Sequence, residues 1–227
     1  MRGHRVATRG AWFLLASLAL ANGATGEGLR VCADPNALPY SNARGEGFEN
    51  ALSELLGKEL EREVSYVWWP QRRGFLRQLR ENRCNAVMGV PADLDRVLTS
   101  DPYYRSGYVF LSRENSDRAP ESLNSPVLRD ARIGVHLIGD DYANSPPAHA
   151  LGARGIVENV VGYSVFGDYG EDSPPRTLVD AVGHGDVDVA IVWGPIGGYF
   201  RRQQPTPLRM RFVPPLPDEP SLRFAYD

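Results

Sequence analysis

The order of apolar runs over residues 29–90 constrains the fold more than any other feature of the sequence. Leu29–Ala33 (LRVCA) has the length and composition of a short buried strand. Phe48, Leu52, Leu55, Leu56 and Leu60 then recur at helical spacing. Val64–Trp69 (VSYVWW) is β-branched and aromatic, which predicts a strand, and Pro70 stops it at a position suited to a helix start. Phe75, Leu76 and Leu79 give the next helix one apolar stripe, and Asn85–Val90 (NAVMGV) predicts a third strand. Strand–helix–strand–helix–strand is the signature of a parallel sheet covered by helices.

The rest of the chain repeats the logic without repeating the sequence. Tyr108–Ser112 predicts a strand that crosses out of this unit, and residues 114–126 are polar and loop-like. Ala131–Leu137, Val160–Phe166 and Val187–Trp193 predict further strands, with Arg176–Val182 helical between the last two. Ser145-Pro146-Pro147 interrupts, Ala148–Leu151 predicts a short helix, and Gly167–Pro175 predicts a turn-rich loop. Met210–Val213 reads as the return crossing.

The N-terminus predicts an export signal. Arg2, Arg5 and Arg9 precede the apolar run Ala11–Ala21, which is too short to span a bilayer, and small residues follow at Ala19, Ala21 and Ala24. Its removal takes away three arginines and no acid, leaving 22 basic against 28 acidic residues, a net charge of −6. That balance argues against a nucleic-acid partner, and no membrane span is expected after cleavage. Cys32 and Cys84 are an even pair in an exported chain, each in or beside neighbouring predicted strands, which suggests a disulfide; the alternative is two buried thiols.

The run Asp101-Pro102-Tyr103-Tyr104-Arg105-Ser106-Gly107 resembles the segment that leads out of the first lobe in extracellular solute-binding proteins of the amino-acid type. The resemblance implies an α/β fold of the periplasmic binding protein type II class: two lobes, each with a mainly parallel sheet flanked by helices, joined by two hinge strands. The expected division is a signal peptide over 1–26, a first lobe over 27–110 completed by 214–227, and a second lobe over 111–213. A first lobe of this kind normally continues beyond such a C-terminal stretch, so the chain is expected to be truncated or that lobe left short.

The ligand grips of those proteins are replaced. The register places Asp93 where they carry a carboxylate-binding arginine. Gly139-Asp140-Asp141-Tyr142 stands where a hydroxyl-rich turn opens a helix, and Trp193 where an aspartate holds the ammonium. A free α-amino acid is therefore a poor ligand. What stands instead is aromatic and basic. Trp68-Trp69-Pro70-Gln71-Arg72-Arg73-Gly74-Phe75 runs from the carboxyl end of a strand into a helix, the edge that faces the crevice in open α/β sheets. Arg72 and Arg73 sit where the helix dipole disfavours cations, although two solvated arginines explain them as well. Strand alternation sends one of Trp68 and Trp69 to the core and leaves the other for the crevice. Tyr103, Tyr104 and Arg105 follow the same rule. Asp34, Tyr40, Asp140, Asp141, Tyr142 and Trp193 complete the expected ligand- or partner-binding set.

Several runs together are similar to the J proteins of methanol-oxidation gene clusters (MxaJ/XoxJ). They are Val31–Asn36, Gly45–Asn50, Trp68–Phe75, Cys84–Pro91, Tyr103–Ser106, Asp140–Pro147 and Asp186–Pro195. The resemblance covers nearly all of the mature chain. It implies a periplasmic accessory protein of a pyrroloquinoline-quinone-dependent methanol dehydrogenase, acting in assembly or activation by protein contact. That enzyme, with its cytochrome c, is the implied partner. The alternative is an ABC-transporter binding protein for a small aromatic or anionic ligand.

No catalytic, cofactor or metal motif is present. His136, His149 and His184 lack ligand spacing. Gly45-Glu46-Gly47 is too short for a dinucleotide fingerprint. Asp140-Asp141 suits a helix cap better than a cation site, and Asp186 and Asp188 suit a helix-to-strand turn. An enzyme built on this fold would need a carboxylate pair, for which only Asp34 and Glu49 are candidates.

Overall fold

The computed structural model describes residues 27–70, 75–92, 94–95, 97–137, 145–165, 173–214 and, for the backbone alone, 223–226. The predicted signal lies outside the described residues. Two sheets organise the chain. The first has three parallel strands in the order β4-β1-β5: β1 (Leu29–Ala33), β4 (Val64–Trp68) and β5 (Ala86–Val87). A small antiparallel pair, β2 (Asn36–Ala37) and β3 (Ser41–Asn42), follows β1. Helices α1 (Phe48–Glu59) and α2 (Phe75–Arg80) cover the two faces of the first sheet. The alternation of β1 decides which side chains meet which helix. Leu29 and Val31 pack with Leu52 and Leu56 of α1, and Cys32 points the other way, toward Phe75 and Leu79 of α2.

The second sheet has the order β10-β6-β9-β7-β8, with β11 on the remaining length of β6. Its strands are β6 (Tyr104–Arg113), β7 (Ile133–Leu137), β8 (Val160–Ser164), β9 (Val189–Trp193), β10 (Leu208–Phe212) and β11 (Arg223–Tyr226). Strands β7, β8 and β9 run parallel, and β6 is antiparallel to β9, β10 and β11. Helices α3 (Pro146–Gly152), α4 (Thr177–His184) and α5 (Gly194–Arg201) cover it. Ala190 and Val192 of β9 pack with α4 and α5, while Val189 and Ile191 pack on the opposite face with Ala150 and Leu151 of α3. Leu38 and Tyr40, from the loop after β1, join the α4–α5 side of this core and so tie the first unit to the second.

The structure differs from the sequence reading at several elements, and the segment after β1, expected as a loop, carries the short β2–β3 pair. The third strand contracts to Ala86–Val87, because Gly89 takes φ +67 and Pro91 follows closely. The helix expected from Ala148 begins at Pro146, since proline needs no N–H in the first turn. Helix α5 was not expected from GPIGGYFR, whose glycines score poorly for helix. Pro195 suits its first turn, and Gly197 lets the helix lie against Val109 and Val192.

Cys32 and Cys84 form a disulfide, with Cα atoms 5.5 Å apart and a sequence separation of 52 residues. It is buried with Phe75 between the first sheet and α2. On loop length alone, Cys84→Ser is expected to lower unfolding stability by about 2–4 kcal/mol, measured as a denaturant midpoint shift that dithiothreitol reproduces in the wild type. Gly47 stands where an added Cβ would overlap the Tyr40 carbonyl. Gly47→Ala is expected to cost about 2–3 kcal/mol, read as a lowered thermal midpoint.

Candidate functional site

The carboxyl ends of the parallel strands of both sheets converge on one cavity of about 480 Å³. Open α/β sheets place ligands at this edge. Asp34, Ala37 and Tyr40 enter from the segment after β1, and Met88–Pro91 from the segment after β5. Phe75 and Leu76 come from α2, and Tyr104 and Tyr108 from β6. His136 comes from β7, Ser145 from the turn before α3, Val165 from the end of β8, and Trp193 and Ile196 from the junction of β9 with α5.

The aromatic walls are held by one another. Tyr108 meets Trp193 edge to face at 5.3 Å between centroids, Tyr40 meets Phe48 at 5.5 Å, and Phe48 meets Tyr104 at 5.7 Å. Asp34 is buried, and its Oδ1 accepts the Asn36 N–H at 2.9 Å. Its carbonyl accepts the Ser41 hydroxyl at 2.8 Å, which fixes the turn that presents Tyr40. Asn50 Oδ1 accepts the Gly47 and Asn42 N–H groups, both at 3.1 Å, and joins the same turn to the start of α1. Asn36 also reaches the second unit: its Oδ1 accepts the Ser173 N–H at 2.7 Å. Ser173 adopts φ +54, an uncommon backbone state for a residue with a side chain. The Pro174–Arg176 turn that follows brings Pro175 to the cavity.

His136 was not expected at the site. It is 6% exposed, and its Nε2–H donates to the Pro175 carbonyl at 3.2 Å. Burial pushes its imidazole down to about 4, with the Pro175 carbonyl opposing that shift, so the ring is neutral near pH 7. Ser145 is buried as well, and its hydroxyl has no hydrogen-bond partner among the described residues.

Four of the expected site residues, Asp34, Tyr40, Tyr104 and Trp193, meet in the cavity. Trp68, Trp69, Tyr103 and Arg105 do not line it. Trp68 stacks on Tyr66 at 4.7 Å, two residues back on the same strand face, and Trp69 packs beside the disulfide on the other face. Trp69 thus packs toward the disulfide core, and neither tryptophan is among the residues that line the cavity. On β6 the alternation turns Tyr104 and Tyr108 to the cavity and leaves Arg105 exposed, and Tyr103, just before the strand, is exposed as well. Tyr108 could have been found by counting four residues along the strand from Tyr104. His136 gave no motif to find, since its role depends on the Pro175 carbonyl 39 residues away. Gln71, Arg72, Arg73, Asp93, Asp140, Asp141 and Tyr142 lie outside the described residues. Glu49 is buried in α1 away from the cavity lining. Asp188 accepts the Arg132 N–H at 2.9 Å and lies near Arg118, in keeping with a turn role. Among the described residues no group of three or more His, Cys, Asp or Glu is placed to hold a metal ion.

The neutrality of His136 has a sign that can be measured. Its folded value lies below the ordinary one, so the unfolded chain binds more protons between pH 6.5 and 4. Stability from the neutral ring is full above about pH 6.5 and is lost as pH falls toward 4. Across that window the wild type is expected to lose about 3 kcal/mol relative to His136→Phe, read from urea unfolding at a series of pH values.

No family model matches the chain. It is 33% identical to protein MoxJ of Methylorubrum extorquens strain AM1 over 196 residues, 82% of this chain and 63% of that protein. It is 32% identical to protein MoxJ of Paracoccus denitrificans over 213 residues, 87% of this chain and 74% of that protein. The chain thus spans a little under two thirds of the first relative's length and about three quarters of the second's. The crystal structure of periplasmic binding protein XoxJ from Methylobacterium extorquens AM1 superposes with a TM-score of 0.69 at 30% identity, covering 88% of this chain and 82% of that one. MxaJ from Methlophaga aminisulfidivorans MPT superposes at 0.73 with 28% identity, covering 87% and 84%. Arginine-bound ArgBP from T. maritima, at 0.58 and 16% identity over 87% and 84%, shares the fold alone. Among the described residues no helix is long and apolar enough to cross a membrane. By its fold and by its identity over most of its length, the chain belongs to the MoxJ family of periplasmic binding protein-like proteins, with MxaJ and XoxJ.

Proposed function

We propose that the protein is a periplasmic accessory protein of a pyrroloquinoline-quinone-dependent methanol dehydrogenase, and that it acts in assembly or activation of that enzyme by direct contact. Family membership carries the reading: the MoxJ likeness runs over 213 residues and is not confined to a motif. The chemistry of the site supports it. Where amino-acid-binding proteins of this fold hold an ammonium with an aspartate, this chain presents Trp193, packed edge to face on Tyr108. A tryptophan there offers apolar contact in place of a charge. In this reading residues 1–26 are removed on export. Residues 27–110 and 111–213 form two lobes, and the chain works by binding, without catalysis. Gln71, Arg72 and Arg73, with the tryptophans Trp68 and Trp69 that precede them, are the proposed contact for the enzyme, since tryptophan and arginine dominate interaction hot spots. Asp140, Asp141 and Tyr142 are its proposed counterpart on the second lobe.

A transport-receptor reading has one specific observation in its favour, the cavity itself. Its volume falls in the range of small-molecule sites. Affinity capture of the mature protein from its own periplasm, followed by mass spectrometry, separates the two. Recovery of a quinoprotein dehydrogenase, with or without its cytochrome c, is the expected result. An Arg72→Glu, Arg73→Glu double variant is expected to reduce that recovery at least several-fold. Recovery of an ABC permease component and no dehydrogenase overturns the accessory reading.

A further inference from the structure

Strand β10 forms one edge of the second sheet, and its register fixes which backbone groups that edge presents. The Pro207 carbonyl accepts the Glu114 N–H, and the Tyr108 carbonyl accepts the Val213 N–H, both at 2.9 Å. With Leu208 opposite Arg113, it is Arg209 and Arg211 whose backbone groups turn toward β6. The N–H and C=O groups of Leu208, Met210 and Phe212 face away from it. No described strand pairs with that side, and none of the three residues makes another backbone hydrogen bond among the described residues. Pro207 and Pro214 bracket the strand, so the free edge is short and bounded.

The side chains of the edge sort by face. Met210 packs partly buried on the α4–α5 core, and Phe212, 60% exposed, lies near Gly194 at the start of α5. Arg209 and Arg211 are exposed on the opposite face. Arg209 donates to the Glu114 carbonyl, and Arg211 reaches the Glu121 carboxylate at 3.2 Å. Both members of that ion pair are exposed, so it contributes little and another carboxylate can replace Glu121. Charge here runs against the rest of the chain. Residues 189–217 hold four arginines, Arg201, Arg202, Arg209 and Arg211, and no acid, in a chain whose net charge is −3. Two copies of this strand side by side would set arginine against arginine. An acidic strand meets no such repulsion. The unpaired backbone selects an extended polypeptide over a lipid or nucleic-acid surface, neither of which continues a ladder.

We propose that the β10 edge is a docking strand for an extended acidic segment of a partner protein. The segment adds to the sheet beyond β10 and bonds to the outward N–H and C=O groups of Leu208, Met210 and Phe212. Its acidic side chains meet Arg209 and Arg211. Its alternate, apolar side chains cover Met210 and Phe212 on the other face. The inference goes beyond the reading above and does not depend on which protein the chain serves.

Fluorescence anisotropy of the purified protein with three labelled octapeptides tests it. One alternates Glu and Val, one alternates Lys and Val, and one alternates Glu and Pro, which keeps the charge and loses half the N–H donors. Saturable binding of the Glu–Val peptide is expected, with each of the other two at least about ten-fold weaker. An Arg209→Glu, Arg211→Glu double variant is expected to reverse the preference between the Glu–Val and Lys–Val peptides. Met210→Pro removes an outward N–H and leaves the bonds to β6 in place, so it is expected to weaken the Glu–Val peptide at least several-fold with unchanged circular dichroism. If Met210→Pro does not fold, the charge reversal decides. Equal affinity for the Glu–Pro peptide, no saturable binding of the Glu–Val peptide, or a wild-type dimer in sedimentation that Met210→Pro dissolves overturns the proposal. Such a result leaves the dehydrogenase capture untouched, and a failed capture leaves the peptide binding untouched.

Discussion

The paired backbone of β6 is the constraint on which the second sheet and the cavity both depend. Over Tyr108–Ser112 it bonds to β9 on one edge, and over Val109–Arg113 to β10 on the other. Over Tyr104–Gly107 its partner is β11. A strand fixed along its length has no freedom to slip, because a one-residue shift would exchange Val109 and Leu111 of the α4–α5 core with Phe110 of the opposite core, and the two cores are packed by side chains of different size. The same register aims Tyr104 and Tyr108 at the cavity. Site and core are thus set by one alternation.

The two units meet through apolar insertion and a polar clasp. Leu38 and Tyr40 leave the first unit and bury themselves in the α4–α5 core of the second. Asn36, two residues before Leu38, accepts the Ser173 N–H. Burial supplies most of the attraction, and the hydrogen bond supplies direction. The loop after β1 therefore carries three duties within seven residues: it lines the cavity with Asp34 and Tyr40, joins the two cores, and holds the turn before α1.

Much of this was legible beforehand. The strand–helix order over residues 29–90 was read from periodicity and punctuation, and the Cys32–Cys84 bridge was one of the two states that cysteine arithmetic left open. What escaped was tertiary. Helix α5 forms from a glycine-rich run because Gly197 permits close contact with Val109 and Val192, and that contact outweighs weak helix propensity. The tryptophan pair carried the expected alternation, but alternation does not say which face meets the cavity. Tyr66 claims Trp68 and the disulfide cluster claims Trp69.

The sequence by itself determined the order of elements, the β1–α1–β4–α2–β5 unit and the family, and it left the disulfide as one of two states for Cys32 and Cys84. These follow from patterns that are local in the chain or from motifs read in line. Only the tertiary structure decided which side chains share the cavity. His136 becomes a neutral, buried hydrogen-bond donor because Pro175, 39 residues away, brings its carbonyl to 3.2 Å. Ser145 becomes a buried hydroxyl, without a partner among the described residues, because packing removes it from water. Burial and long-range pairing set the chemistry of both groups, and neither quantity is written in the residues that flank them.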